Sequence, residues 1–280
     1  MIAAADYDYL RRLLKDRSGL VLTDDKQYLL ETRLEPIIRE AGLGGIAPLV
    51  GALREGRRAG LADQVVEAMT TNESLFFRDK RPFDQFTSFM LPELVARRPA
   101  GQPLRIWCAA SSTGQEPYSL AMLLKENEPL LAGRRVEIVA TDLSSEVVAR
   151  AREGLYSQFE VQRGLPVHYL LRHFSQEGQM WRIAPALRAM VRFSTLNLLH
   201  PFGHLGTFDI VFCRNVLIYF DAPTKADVLA RVAAVMSTDG YLVLGGAETV
   251  LGLSADFTAG PRQGLYAIGR DATAGRPMRI

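Results

Sequence analysis

The stretch Leu104-Arg105-Ile106-Trp107-Cys108-Ala109-Ala110-Ser111-Ser112-Thr113-Gly114-Gln115-Glu116-Pro117-Tyr118 decides the fold. Its first half is a short, mainly apolar run, the mark of a strand buried on both faces. Its second half is a turn of small residues leading into a helix, with Pro117 in the first turn, where a missing N–H is tolerated. A helix over 117–125 and a second apolar run over 136–141 complete a βαβ unit. The alternation continues through helix 145–151, strands 191–194 and 209–212, helix 224–236 and strand 241–245. That order predicts the α/β class, a doubly wound and mainly parallel sheet with helices on both faces. Residues 157–189 interrupt it. With Trp181-Arg182-Ile183 as a candidate strand, this stretch is too long for a plain connection and reads as an inserted small β subdomain.

Upstream the period changes to that of helices. Leu10, Leu13 and Leu14 share a face that ends at Gly19, and Asp24 or Asp25 is placed to cap a second helix carrying Leu30, Leu34, Ile37 and Ile38 and stopping at Gly42. Further helices are expected over 48–55 and 61–69. Residues 1–69 therefore read as a small all-α domain, 70–103 as a polar and aromatic junction with a helix bearing Phe83, Phe86 and Phe89, and 104–280 as the α/β domain. The tail over 271–280 is expected to be disordered.

Composition removes several function classes. The 280 residues are 48% hydrophobic and 23% charged, which excludes disordered and fibrous chains. The longest apolar stretches, 240–247 and 210–213, fall far below the roughly 18 residues that span a bilayer. Asp6 and Asp8 stand where a signal peptide would be basic, so a cytoplasmic protein without membrane insertion is expected. Cys108 and Cys213 make no disulfide framework, and His168, His173, His200 and His204 have no partners at ligand spacing, so no metal is expected. A net charge of +2 gives no reason to expect nucleic acid. A monomer is expected.

Ligands of open α/β sheets sit beyond the carboxyl ends of the strands. The turn after Ala109 lacks the GxGxxG spacing of a dinucleotide site, which disfavours a nicotinamide dehydrogenase. Asp142 follows the second strand, where a carboxylate accepts the hydroxyls of an adenosine ribose; its alternative role is to cap helix 145–151. Arg214 and Asn215 follow an apolar strand, where burying them without partners is costly, so a polar ligand is expected there. A nucleoside without pyrophosphate points to S-adenosylmethionine.

Several longer motifs then fall into one order: 14–20 (Leu-Lys-Asp-Arg-Ser-Gly-Leu), 25–31 (Asp-Lys-Gln-Tyr-Leu-Leu-Glu), 70–78 (Thr-Thr-Asn-Glu-Ser-Leu-Phe-Phe-Arg), 114–119 (Gly-Gln-Glu-Pro-Tyr-Ser), 140–142, 197–199 and 212–220 (Phe-Cys-Arg-Asn-Val-Leu-Ile-Tyr-Phe). Together they resemble the CheR family, the chemotaxis receptor glutamate methyltransferases, over nearly the whole chain. The resemblance implies a Rossmann-like methyltransferase domain behind the helical domain. It implies that Asn72, Ser74 and Arg78 touch the methionine end of S-adenosylmethionine, with Glu116 on the same moiety or its amine and Asp142 on the ribose. Asn197 and Leu198 would frame the adenine, and Arg214, Asn215 and Tyr219 would line the methyl-transfer pocket, with Arg78, Arg214 and Tyr219 as the catalytic candidates. Ser74 stands where Thr is expected and Gln115 where Glu is usual.

The implied substrate is a glutamate on the cytoplasmic helices of methyl-accepting chemoreceptors, with S-adenosylhomocysteine as the second product. Arg33 and Arg39 would dock the receptor helix, although at 100° per residue they lie about 120° off a common stripe, and Pro36 stands where a third arginine is expected. In some relatives the inserted subdomain captures a C-terminal receptor peptide as an added strand. Here Phe174-Ser175-Gln176-Glu177-Gly178-Gln179-Met180-Trp181 is short, with Gly178 as a tight turn, so recognition independent of a tethering peptide is expected. Two other readings stay open: a methyltransferase of another protein substrate, and a cofactor-binding regulator without turnover. Phe76, Phe77, Tyr118 and the two cysteines read as packing rather than chemistry.

Overall fold

The computed structural model describes residues 2–56, 58–131 and 133–269; the tail expected to be disordered, 271–280, lies outside them. Leu10 and Leu14, one turn apart on α1 (Ala4–Ser18), are completely buried, and Gly19 ends the helix in the left-handed region at φ 76°. They pack against Leu30 and Leu34 of α2 (Gln27–Glu40), Leu49 of α3 (Ile46–Glu55) and Val65 of α4 (Leu61–Met69). Asp24 and Asp25 do not cap α2. They open a 3-10 turn before it, and Asp24 accepts a hydrogen bond from Arg11 at 2.9 Å. A short α5 (Arg81–Gln85), a π-helical turn (Phe86–Met90) and α6 (Leu91–Arg97) then lay Phe83 and Phe86 against Phe212 in the sheet.

The α/β region begins with β1 (Leu104–Ala109), α7 (Gln115–Glu126), β2 (Val136–Asp142) and α8 (Ser145–Glu153). A second sheet then intrudes, built from β3 (Leu155–Ser157), α9 (Gln158–Gln162), α10 (Val167–His173), β4 (Phe174–Glu177) and β5 (Met180–Ile183). It is three-stranded and antiparallel in the order β3-β5-β4, and its β4–β5 hairpin turns on Gly178 at φ 61°. The main sheet resumes with α11 (Pro185–Arg188), β6 (Val191–Thr195), β7 (Phe208–Cys213), α12 (Ala222–Ala234), β8 (Met236–Leu244), β9 (Phe257–Ala259) and β10 (Leu265–Ile268).

Its seven strands run in the order β6-β2-β1-β7-β8-β10-β9. The first five are parallel, and β10 and β9 are antiparallel additions at one edge. Successive residues of β1 enter opposite cores, Ile106 and Cys108 on one face and Trp107 and Ala109 on the other, so both faces are covered as predicted. Two further details differ from the sequence reading. β9 and β10 were not foreseen, because short antiparallel strands after the last helix carry no βαβ signal. Helix α12 stops at Ala234 and β8 starts at Met236, since the polar run Ser237-Thr238-Asp239 hides the strand's first half. The strand order reverses between β1 and β7, which opens a crevice at their carboxyl ends. No helix among the described residues is long and apolar enough to cross a membrane.

Candidate functional site

A cavity with about 1140 Å³ of empty space, counting its open mouth, lies in that crevice. Its floor is the turn after β1. Ser111 N–H donates to the Thr141 carbonyl at 2.9 Å, Gly114 N–H to the Ser111 carbonyl at 3.1 Å, and the Tyr156 hydroxyl from the inserted sheet to the Thr113 carbonyl at 2.8 Å. Gly114 is obligatory: its φ is 95°, and a Cβ there would meet Ala151, Tyr118 and Tyr156 at 3.1–3.2 Å. Ala110, Ser112 and Asn215, together with Phe77, Asp79 and Lys80, are the six described non-glycine residues at positive φ, and all lie in segments bordering this cavity. Strained backbone collects where function needs it.

Asp142 ends β2 with its carboxylate inside the cavity and only 7% exposed. Oδ2 accepts from Ser112 N–H at 2.8 Å and Oδ1 from Ser144 N–H at 3.1 Å. The cap of α8 is Ser144, whose hydroxyl oxygen accepts from Val147 N–H, so the capping alternative for Asp142 falls away. Burial raises the Asp142 pKa, and the N–H groups of Ser144, Ser112 and Leu143 oppose the rise. Each carboxylate oxygen keeps lone pairs for further donors.

Arg214 follows β7 and its side chain is 2% exposed. One terminal nitrogen donates to Glu116 Oε2 at 2.7 Å; the other donates to Asp79 Oδ2 at 2.7 Å and to the Arg78 carbonyl at 2.9 Å. Its Nε has no partner. The guanidinium therefore joins α7 to the junction, and its strongest donors are committed within the chain. Burial raises the Glu116 pKa, while the adjoining Arg214 guanidinium lowers it. Asn215, Val216 and Tyr219 continue along the wall.

The junction supplies the opposite wall, including Asn72, Ser74 and Arg78. Asn72 offers its carbonyl to the Ser112 hydroxyl at 2.6 Å, and Arg78 donates to the Glu73 carbonyl at 3.1 Å. Phe76 and Phe77 are buried, packing on Tyr156 and Phe174 and on Phe83 and Tyr169 respectively, and Tyr118 is fully buried. Cys108 and Cys213 are buried too, and burial pushes both thiols well up. Leu198 lines the cavity as a buried apolar residue. Asn197 also lines it, yet its amide nitrogen donates to the Arg17 carbonyl at 2.6 Å, so its side chain ties α1 to the sheet.

The structure does not bring Arg33 and Arg39 together. Arg33 donates to the Met69 and Thr70 carbonyls at 2.8 and 3.0 Å and to the Thr71 hydroxyl at 3.2 Å, fastening the end of α4. Arg39 is exposed in the last turn of α2.

The family model described as "CheR methyltransferase, SAM binding domain" matches residues 72–263, and that described as "CheR methyltransferase, all-alpha domain" matches residues 5–70. The chain belongs to the CheR methyltransferase family. It is 42% identical over 252 residues to the chemotaxis protein methyltransferase Cher2 of Pseudomonas putida, a match covering 89% of this chain and 91% of that one. It is 44% identical over 252 residues, with the same coverage, to chemotaxis protein methyltransferase 1 of Pseudomonas aeruginosa. The match to chemotaxis protein methyltransferase 1 of Vibrio cholerae is 39% over 259 residues, 91% of this chain and 93% of that one.

The cofactor of a CheR methyltransferase is S-adenosylmethionine, and the residues present fit it. The cavity combines a buried carboxylate at the end of β2, apolar walls from Leu143, Leu196 and Leu198, acidic and basic groups toward the junction, and a buried Ser111 hydroxyl without a partner. Sequence reasoning missed three contributors. Ser18 and Leu20, from the end of α1, close one side of the cavity. Glu67 of α4 accepts from the Ser145 N–H and hydroxyl at 2.6 and 2.9 Å, locking α8 to the helical domain. Glu248, beyond β8, gathers the backbone of the Arg214–Tyr219 wall. Ser18 and Leu20 lie in the 14–20 motif, which carries no site expectation of its own, and neither Glu67 nor Glu248 has a local motif signal.

Proposed function

We propose that this chain transfers the methyl group of S-adenosylmethionine to glutamate side-chain carboxylates on the cytoplasmic helices of methyl-accepting chemoreceptors, giving glutamyl methyl esters in chemotactic adaptation. The names of the relatives, chemotaxis protein methyltransferases, support the pathway. One observation carries the choice of acceptor. Among the described residues lining the cavity there is no Lys, His or Cys. Its acids are engaged: Glu73 by Arg163 at 2.8 Å, Glu116 by Arg214, and Asp142 by backbone amides. A wall without a free base suits an acceptor that needs no deprotonation. A glutamate, with an ordinary pKa of about 4.3, is ionised at neutral pH; a hydroxyl or ammonium acceptor is not a ready nucleophile there.

The bound cofactor supplies an electrophilic methyl on a sulfonium. Asp142 would accept the ribose hydroxyls, Leu198 and Leu196 would cover the base beside Asn197, and Asn72, Ser74, Arg78 and Glu116 would hold the methionine end. Arg214 keeps Glu116 in place and draws the junction over the site. Orienting two bound reactants in line lowers a barrier by about 7–11 kcal/mol in favourable cases, which leaves alignment as the protein's main task. Charge is annihilated as the methyl moves, so a tight ion pair to the acceptor would stabilise the ground state more than the transition state. The neutral Tyr219 hydroxyl is the group suited to align the carboxylate, with Asn215 beside it and Arg78 steering from the rim.

Arg39 remains the docking candidate on α2, whereas Arg33 is occupied at the junction. The hairpin at Gly178 is a two-residue turn, in keeping with recognition that needs no tethering peptide. The enzyme acts in the cytoplasm as a monomer. A receptor cytoplasmic fragment should take up label from tritiated cofactor, and the same fragment with its target glutamates changed to glutamine should not. Equal labelling of both would exclude glutamate as the acceptor.

A further inference from the structure

We propose that Glu248 is the positioning residue of the methyl-transfer wall; the inference rests on the methyl-transfer reading above. The segment 213–219 leaves β7 and must hold Asn215 in the left-handed region, at φ 58°, before the short 3-10 turn Leu217–Tyr219. A non-glycine residue stays in that region only where its surroundings over-determine it. The N–H groups of Asn215 to Ile218 are received by one carboxylate. Glu248 Oε2 accepts from Asn215 N–H at 2.8 Å, and Oε1 accepts from Val216 and Leu217 N–H at 2.9 and 2.8 Å and from Ile218 N–H at 3.3 Å. Oε2 also takes the Gly245 N–H at 2.8 Å, making five donors on one side chain.

The fold is cut to admit this carboxylate. β8 ends at Leu244, and Glu248 N–H donates to the Gly245 carbonyl at 3.0 Å, so the chain doubles back and brings the side chain over Gly245. A Cβ at position 245 would lie 2.7 Å from Glu248 Oε2, 3.0 Å from Asn215 Nδ2 and 3.1 Å from Asn215 N. No side chain fits there without pushing the carboxylate off the loop.

Glu248 does not line the cofactor cavity; it faces a neighbouring one. Arg214, Asn215, Val216 and Tyr219, on the segment it holds, all line the cofactor cavity. Its action is therefore indirect. On its far side the same segment is tied to the helical domain, where Val21 N–H donates to the Tyr219 carbonyl at 2.9 Å. Tyr219 is thus placed between one carboxylate and one backbone hydrogen bond. An ionised carboxylate suits the task because it is acceptor-only; an amide would turn an NH2 toward N–H groups.

The test compares wild type, Glu248→Gln and Gly245→Ala, using hydrogen exchange of the 213–219 amides, S-adenosylhomocysteine affinity by calorimetry, and kcat and KM with tritiated cofactor and a receptor fragment. In Glu248→Gln the 215–218 amides should exchange at least tenfold faster while those of β1 and β2 keep their protection. Because misplacement by about 1 Å costs on the order of 10²-fold, kcat should fall by roughly that factor, with KM for the receptor nearly unchanged. Gly245→Ala keeps the carboxylate but displaces it, and should show the same signature more weakly; it decides the matter if Glu248→Gln does not fold. Faster exchange with an unchanged kcat, or loss of protection spread across the whole sheet, would overturn the positioning role. Failure of the wild-type protein to bind S-adenosylhomocysteine or label the receptor would instead overturn the methyl-transfer reading.

Discussion

The turn after β1 and the segment after β7 leave neighbouring strands and line one cavity, and they are anchored by different means. The first is held piecemeal: by the Thr141 carbonyl, by its own Ser111 carbonyl, by the Tyr156 hydroxyl, and by Gly114 pressed against Ala151 and Tyr118. In the second, four consecutive N–H groups, Asn215 to Ile218, converge on a single carboxylate that arrives from 33 residues downstream of Asn215, with Arg214 and the Tyr219 carbonyl tied at either end. The contrast separates two duties. A cradle for the cofactor must keep its shape whether or not a ligand is present, and distributed packing achieves that. A segment proposed to align the methyl acceptor has to be placed accurately, and a polar hub that fixes consecutive N–H groups does that.

The cradle should produce the largest losses. Asp142→Ala removes the expected ribose acceptor and strands the Ser112 and Ser144 N–H groups. Charge-assisted hydrogen bonds contribute about 1.5–3 kcal/mol each, so losing two should weaken S-adenosylhomocysteine binding by about 10²-fold or more in calorimetry. Unchanged affinity would leave Asp142 as a brace for the turn. Acid should reproduce part of the effect. Burial raises the Asp142 pKa, so the free protein takes up this proton at a higher pH than an ordinary aspartate does, and affinity falls as pH drops through that raised value. A binding curve that stays flat down to the ordinary aspartate range, about 3.9, would contradict the assignment.

Next in size is Gly114→Ala, which forces a side chain into φ 95° and against three neighbours. A loss of about 1–3 kcal/mol in urea unfolding is expected, and a neutral result would mean that the cradle is softer than its packing indicates. Tyr219→Phe probes the other wall. Removing one neutral hydrogen bond, about 0.5–1.5 kcal/mol, should lower turnover by about 2- to 10-fold and leave S-adenosylhomocysteine affinity intact. Equal turnover would remove Tyr219 from carboxylate alignment. The smallest effect is expected from Arg39→Glu, an exposed change: a several-fold rise in KM for the receptor and a weaker dependence on salt, with cofactor affinity constant. If KM is unmoved, receptor docking lies elsewhere.

The same contrast explains what could be read from the sequence. The cradle was legible because its parts are neighbours in the chain: an apolar strand, a turn of small residues, a helix start, and Asp142 at the end of the next strand. The five parallel strands were legible for that reason too. The antiparallel β9 and β10 left no periodic trace, and the hub at Glu248 is one acid among 31 acidic residues, singled out only when the fold returns it to the Asn215 segment. Arg33 and Arg214 mark the limit: Arg33 is spent on the carbonyls at the end of α4, and Arg214, while lining the cavity, is engaged by Glu116 and Asp79. A sequence shows where a guanidinium falls but not which acceptors the fold has already given it.

The central claim is that the acceptor is a carboxylate, and the stability of the product bond tests it most directly. Receptor labelled with tritiated cofactor should lose its label as volatile methanol in mild alkali, because a glutamyl methyl ester hydrolyses there. Label that stays on the protein under the same treatment would identify an N-methyl or ether product and contradict the account.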